Sequence, residues 1–294
     1  MCVPSKQKSE QKIRSDERIK ASRDEERGCN GGGNSGSVES VVYPASVFIT
    51  GADRGIGFGL VQQFLNIKTV EHVIAGALDP DTSKDLHGIS DDRLHVVKID
   101  VEDDQSIVDA CAQVEEIVGE RGLNLLVNNA GVLPTYFTSG TISRKKLAKC
   151  LNVNVMGTII VSQTFLPLLK KASAHVSDDH WGIDRAAIVN ISSYWGSISR
   201  NEDGSGELGA LAYRISKAGV NQLGKTMATD LATDKIIVTQ FCPGWVRTAM
   251  GNMEGRKATL TVEESTSALV NSMSKLRKQH SGGFFTRHLK PIPY

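Results

Sequence analysis

The sequence predicts an α/β protein: a single doubly wound domain with a seven-stranded parallel sheet and helices on both faces. Three observations carry this prediction. Short runs rich in β-branched and apolar residues recur seven times between Ser46 and Thr286. Most of them are separated by stretches with helical periodicity. The runs are apolar throughout rather than alternating, as strands buried on both faces must be.

The elements follow in order. SVFIT (46–50) is the first strand; it ends in a Gly-punctuated turn, after which GFGLVQQFL (57–65) reads as helix. HVIAGA (72–77), LHVVKI (94–99), LNLLV (123–127), AAIVNIS (186–192), KIIVTQF (235–241) and GGFFT (282–286) are the further strands. Helices are predicted at 104–120, where Ile107, Cys111, Val114 and Val118 form a stripe, at 145–170, at 211–231 and at 262–276. Thr261-Val-Glu-Glu264 is a capping box that starts the last of these. No linker divides 43–294, so this range reads as one domain. Residues 1–42 stand apart: a mixed-charge stretch runs into CNGGGNSGSVES, which cannot bury enough apolar surface to offset its ordering entropy. They read as a disordered tail. The Gly31–Gly33 run follows no strand and opens no helix, so it is not a phosphate loop.

Bulk composition narrows the function classes. Hydrophobic residues make up 40% and charged residues 23%, the balance of a soluble globular chain. Basic and acidic residues nearly cancel, 34 against 33, for a net charge of +1. Nucleic acid or an anionic membrane as partner calls for a basic excess, so neither is expected. The five cysteines (Cys2, Cys29, Cys111, Cys150, Cys242) are odd in number and scattered, with no CxxC or Cys/His cluster. Neither a disulfide framework nor a metal site is indicated, and a reducing compartment is expected. His175 and His180 flank a polar loop without framing ligands and read as solvated. No apolar stretch approaches the ~18 residues of a membrane span, and the N-terminus lacks the apolar core of a signal peptide. A cytoplasmic location follows as the expectation.

The first strand runs into TGADRGIG (50–57). A sheet of this type binds ligands beyond the carboxyl ends of its strands, near the point where strand order reverses. Glycines at 51, 55 and 57 permit a tight turn, and the helix starting there offers unpaired N–H groups to a phosphate. Its place directly after the first strand favours nucleotide binding over a bare βα turn. The spacing G-x3-G-x-G differs from the G-x-G-x-x-G of the usual dinucleotide fingerprint. Far downstream, YRISK sets Tyr213 and Lys217 one helical turn apart on one face. Such a pair is ordinary on exposed helices and by itself carries no chemistry.

Taken together, these and five other motifs resemble the short-chain dehydrogenase/reductase family over about residues 45–294, with its Rossmann-like domain. The resemblance implies a cofactor site built from Gly51, Asp53, Arg54, Gly55, Ile56 and Gly57 in the turn. Asp100 and Val101 after the third strand would meet the adenine. LLVNNAG brings Asn128, Asn129, Ala130 and Gly131, which brace the sheet and the adenine ribose. CPGWVRT brings Pro243, Gly244, Val246 and Thr248. The catalytic set implied is Asn154 in N-x-x-G, Ser193 as the second serine of VNISS, and Tyr213 with Lys217. Within the family, FGLV, LPLLKK, PGWVRTAMG and the C-terminal GGFF are most similar to sniffer-like and C-factor-like carbonyl reductases. The implied reaction is reduction of an aldehyde or ketone to an alcohol; an NAD-dependent alcohol or hydroxysteroid dehydrogenase, or a silent dinucleotide-binding protein, are the alternatives. The expected partner is a small carbonyl or alcohol substrate, and a homodimer is compatible with the chain.

On this reading Ser193 holds the substrate oxygen and Tyr213 passes the proton. Lys217 bonds the nicotinamide ribose, and Asn154 positions a water that links Lys217 to solvent. An ammonium about 4 Å from the phenol, at an effective dielectric near 20, would favour the phenolate by up to ~4 kcal/mol, or about three pKa units. Arg214, Ile215 and Ser216 are then only the turn between the two functional residues. Ser193 could instead cap a strand-end turn, and Asn154 could be a buried amide bonded to backbone. Ser193 and Tyr213 are 20 positions apart, and the polar surplus SRNEDGSGELG reads as a surface excursion that leaves both ends in place. Arg54 precedes the second glycine, a common partner of a 2′-phosphate, so NADP(H) is the expected cofactor. Asp79 could accept from a 2′-hydroxyl and admit NAD(H), or simply start a turn with Pro80. Leu133, Pro134, Tyr194, Trp195 and Trp245 are candidates for an apolar substrate pocket, and 249–260 for a lid over it, an ordinary surface loop being the alternative.

Overall fold

The computed structural model describes residues 41–294; residues 1–40, and with them nearly all of the predicted tail, lie outside the described residues. Val42 already belongs to the domain, because its N–H donates to the Ser274 carbonyl. All seven predicted strands form: β1 (Ser46–Thr50), β2 (His72–Ala77), β3 (Leu94–Lys98), β4 (Leu125–Asn128), β5 (Ala187–Ile191), β6 (Ile237–Cys242) and β7 (Phe284–Thr286). They make one parallel sheet in the order β3-β2-β1-β4-β5-β6-β7. The principal helices are α1 (Gly55–Leu65), α2 (Asp104–Val118), α3 (Arg144–Leu151), α4 (Thr158–Ala174), α5 (Leu211–Asp230) and α6 (Val262–Met273).

Alternate side chains of each strand enter different cores. Val47 and Ile49 of β1 join Leu60, Val61 and Phe64 of α1 and Leu269, Val270 and Met273 of α6. Phe48 points the other way, into a layer with Ile107 and Val114 of α2, Val161 and Phe165 of α4 and Leu231 just past α5. There it stacks on Phe165 at 4.7 Å between ring centroids. Burial on both faces is the physical reason the strands lack polar alternation. Strand order reverses between β1 and β4, so the β1 and β4 carboxyl ends open side by side.

One predicted helix differs. The stretch 145–170 is interrupted by a π-helical turn, Asn152–Gly157, between α3 and α4. There the Asn154 carbonyl accepts from the Thr158 hydroxyl at 2.9 Å. Gly157 lets the Val101 carbonyl pass where a Cβ would lie 2.6 Å from it. Contrary to the expectation that no such stretch exists, the helical run Arg144–Ala174 has the length and apolarity of a bilayer span. Its Val161, Phe165 and Leu169 are fully buried against the sheet. The capping box at Thr261 forms as predicted, with Glu264 N–H donating to Thr261 Oγ1 at 3.0 Å and Thr261 N–H to the Glu264 carboxylate at 2.7 Å.

Candidate active site

Every predicted motif sits at the carboxyl edge of the sheet. Gly51 and Gly55 take left-handed backbone, φ +63° and +55°, which turns the chain sharply from β1 into α1. The turn is held from β4 by Asn129. Its side-chain amide donates to the carbonyls of both Thr50 and Gly51 at 2.9 Å. In return, Thr50 Oγ1 accepts from the N–H groups of Asn129 and Ala130. Gly57 has to be glycine because a Cβ there would lie 2.1 Å from the Gly51 carbonyl oxygen.

No side chain caps the start of α1, so its first N–H groups remain available to an anion. Asp53 and Ile56 flank it, half-buried. The Arg54 side chain is 83% exposed and lies 3.8 Å from Asp53. From the other side, Thr248 comes so near that a Cβ on Gly55 would meet its methyl at 3.2 Å. Thr248 thus brings the loop after β6 against the glycine turn; in the same loop the Pro243 carbonyl accepts from Ser265 Oγ at 2.8 Å, Gly244 takes left-handed backbone, φ +85°, and Val246 bridges Leu260. Asp100 shapes the turn after β3: its N–H donates to Ser106 Oγ and its carboxylate accepts from Glu102 N–H, both at 2.9 Å. These residues fit a dinucleotide: an uncapped helix start, a glycine cradle and a cationic side chain in water. Asn128 takes the bracing role expected of this segment. Its side chain points into the core, donating to Ser162 Oγ and Asn190 Oδ1 at 2.9 Å, and so braces the sheet.

The catalytic candidates meet beside this cradle. Asn154 is fully buried and clamps the Val132 backbone from both ends, accepting from its N–H at 2.8 Å and donating to its carbonyl at 2.9 Å. The same amide nitrogen donates to Ser216 Oγ at 2.9 Å, whose hydroxyl donates to the Tyr213 carbonyl. Ser216 is thus more than a spacer; it ties α5 to the π-turn. A Cβ on Gly131 would lie 3.3 Å from Asn154 Oδ1 and 3.7 Å from Lys217 Nζ, so all three converge. Ser192 is buried and donates to Asn221 at 2.6 Å, which leaves the half-buried Ser193 as the serine facing the cleft. Ser193 also accepts from the Trp195 N–H, so the turn-capping role is real as well.

The Lys217 ammonium donates to the Ile191 carbonyl at 2.7 Å and stands 5.6 Å from the centroid of the Tyr213 ring. Burial pulls Lys217 down to about 8 and pushes the Tyr213 phenol above its ordinary value, against a smaller downward pull from the Ser193 hydroxyl. The expected lowering of the phenol by the ammonium does not contribute. The cause is the order of titration: Lys217 has lost its charge before the phenol ionises. Near neutral pH the pair is a phenol beside an ammonium.

A small apolar cluster packs around Tyr213. Leu133, Ala212 and Cys150 are buried around it, with Tyr136, Leu147, Trp195, Met250 and Met253 packed against them. Trp195 meets the Tyr213 ring edge-on at 6.1 Å. Tyr194 is 44% exposed and stands outside. The segment 249–260 is closed at its base by Arg247 N–H to the Leu260 carbonyl (2.8 Å) and Leu260 N–H to the Trp245 carbonyl (3.1 Å). Trp245 Nε1 donates to the Gly251 carbonyl inside it at 2.8 Å. The excursion after Ser193 returns through a bridge between Tyr136 and Ala210, which keeps α5 in place. Asp79 does begin a turn: its carbonyl accepts from Ser83 Oγ at 2.8 Å. Both loop histidines have partners, His180 in Asp184 (2.7 Å) and His175 at the Glu120 carbonyl (2.7 Å). Among the described residues, no group of three or more His, Cys, Asp or Glu could hold a metal.

Comparison with known proteins agrees with this geometry. Residues 45–259 match the family model for short chain dehydrogenase. The structure of Sniffer from Caenorhabditis elegans is 43% identical, covering 86% of this chain and 100% of that one, with a TM-score of 0.80. NADPH-bound carbonyl reductase from chicken fatty liver is 33% identical over 89% of this chain and 100% of that one, with a TM-score of 0.83. Human retinol dehydrogenase 5 is 33% identical over 84% of this chain. The chain spans 69% of that protein's length, and 61% of the mouse counterpart's. Family match and converging site residues lead to one statement: the chain belongs to the short chain dehydrogenase family and is an oxidoreductase of that family.

Proposed function

We propose that the protein is an NADPH-dependent carbonyl reductase, converting an aldehyde or ketone to an alcohol. The observation that carries this reading is the neutral Tyr213 phenol held beside Ser193 and the Lys217 ammonium against a small apolar cluster. A phenol that keeps its proton near neutral pH suits an acid acting on a carbonyl oxygen. Bound NADPH would supply the hydride to the carbonyl carbon and leave as NADP+. Ser193 would hold the substrate oxygen, and Tyr213 would give it the proton. The Lys217 ammonium restores the phenol's proton, and Asn154 fixes the strand-end loop against which both stand. Gly51, Gly55, Gly57 and the start of α1 would receive the diphosphate. Arg54, exposed beside that turn, supports NADPH over NADH, as does the bound cofactor of the chicken relative. We assign the working location to the cytoplasm, in keeping with the described cysteines, Cys111, Cys150 and Cys242, which are free.

The test follows nicotinamide absorbance with NADPH or NADH and a panel of aldehydes and ketones. Wild type should turn over with NADPH, Tyr213→Phe should lose at least ~100-fold in kcat, and Arg54→Ala should narrow the preference for NADPH. Cofactor binding without turnover of any carbonyl or alcohol would favour a silent binding protein. A preference for NADH indifferent to Arg54→Ala would overturn the cofactor assignment.

A further inference from the structure

Arg214 directly follows the proposed proton donor in the sequence, yet its charge meets no bonded counter-charge in the structure. Its side chain is only 9% exposed, and its Nε is buried without a hydrogen-bond partner. The guanidinium lies 5.2 Å from the centre of the Trp195 ring. A second guanidinium, that of Arg256 in the 249–260 segment, stands 5.9 Å from the same ring and 5.2 Å from that of Trp245. Among the described residues, no hydrogen bond reaches the terminal nitrogens of either arginine. Arg256 donates only from Nε to the Met253 carbonyl at 3.4 Å.

Stacking holds both cations, Arg214 on Trp195 and Arg256 on Trp245 as well as Trp195, but it leaves their terminal nitrogens without an acceptor. Burial weakens the charged form of both, and the two acids near them do little to offset it. Asp203 approaches Arg214 only to 4.0 Å and its side chain is 68% exposed; Glu207 is exposed and acts on Arg256 from a distance. Two partly dehydrated guanidinium groups around one aromatic ring, without a bonded carboxylate, form a receptor for an anion. Trp195 places this receptor relative to the chemistry, because its other contact is the edge of the Tyr213 ring at 6.1 Å.

We propose that the substrate is a carbonyl compound that also carries an acid group, with an apolar spacer lying along Trp195. The carbonyl would sit at Ser193 and Tyr213, and the carboxylate between Arg214 and Arg256. This assignment rests on the carbonyl-reductase reading, which it makes more specific. It also explains what the 249–260 segment does. Arg256 would bring that segment onto the substrate's acid end, so that an acid closes the site better than its ester.

The experiment compares 4-carboxybenzaldehyde with methyl 4-formylbenzoate, two aldehydes that differ in the negative charge. With wild type and NADPH, kcat/KM should be at least tenfold higher for the acid, and raising the salt concentration should shrink that ratio. The acid-to-ester ratio should collapse towards unity in Arg256→Gln and Arg214→Gln and partly recover in Arg256→Lys. Circular dichroism and the turnover of the ester report whether each variant is folded. Equal kcat/KM for acid and ester in wild type would overturn the proposal, as would a ratio that both glutamine variants leave unchanged. If neither aldehyde is reduced, the carbonyl-reductase reading fails on its own. Calorimetric titration with the same two compounds then decides the anion site, tighter binding of the acid that Arg256→Gln abolishes supporting it and equal binding rejecting it.

Discussion

The Lys217 ammonium stands 5.6 Å from the centroid of the Tyr213 ring while bonded to the Ile191 carbonyl at 2.7 Å. Its strongest contact is therefore with the end of β5 rather than with the phenol. Both side chains are more than nine-tenths buried, and desolvation decides their ionisation: lysine is brought down and tyrosine up. The pair is held at a cost in stability.

That cost has a sign and a pH window. The Lys217 pKa falls from 10.5 to about 8 on folding, so between these values the unfolded chain binds the extra proton. Stability attributable to this group rises as pH increases from about 8 to 10.5, and below 8 the full penalty of on the order of 3 kcal/mol applies. Lys217→Met removes the penalty but orphans the Ile191 carbonyl, which costs back about 1 to 2 kcal/mol. The expected outcome at pH 7 is an inactive protein with a higher Tm than wild type, measured by calorimetry. A lower Tm would show that the lysine stabilises the fold.

Gly57 offers a test of the cofactor cradle. A methyl group there would collide with the Gly51 carbonyl at 2.1 Å and with the Asn129 amide at 2.6 Å, both in the backbone lock of the turn. Gly57→Ala should force the turn apart at a cost of about 1 to 3 kcal/mol. NADPH affinity, read by fluorescence titration, should fall at least ~10-fold, each tenfold being about 1.4 kcal/mol. Asn129→Ala removes two bonds to the same turn without a collision and should weaken binding less.

A histidine pair on the first strands predicts an acid limit to stability. His72 Nδ1 and His95 Nε2 lie 3.2 Å apart across β2 and β3, so one nitrogen must donate and the other accept. Burial lowers both pKa values, with the Arg121 charge adding to the effect on His72 and Glu71 opposing it. The unfolded chain takes up protons first as pH falls below about 6.5. Stability from the pair is therefore present above pH 6.5 and lost as pH falls through the folded values. Wild type should lose Tm steadily between pH 7 and 5. His95→Gln should flatten that slope, and a slope it does not change would assign acid sensitivity elsewhere.

Much of this molecule is legible from local pattern. Strands buried on both faces must be apolar throughout, so all seven runs announce themselves; their ends shift by a residue or two, since pairing partners and not composition decide where a ladder stops. The glycine turn showed itself by its place after the first strand and the Tyr213–Lys217 pair by its helical spacing, whereas Asn154 and Ser193 were marked by the family resemblance. The π-turn at Asn152–Gly157 lies beyond such reading, for it follows from Val101, Val132 and Ser216, which approach from other parts of the chain.

By itself the sequence determined the layer architecture, a consequence of periodicity, and its ordered motifs carried the resemblance that pointed to the family and to the candidate site residues. Tertiary structure alone decided which of two neighbouring asparagines holds the glycine turn and which braces the sheet, the two side chains pointing to opposite sides. It alone decided that the Tyr213–Lys217 pair is a phenol beside an ammonium, because ionisation depends on how much water the surrounding chain excludes. And it alone set Arg214 and Arg256, 42 positions apart in the sequence, around one indole ring.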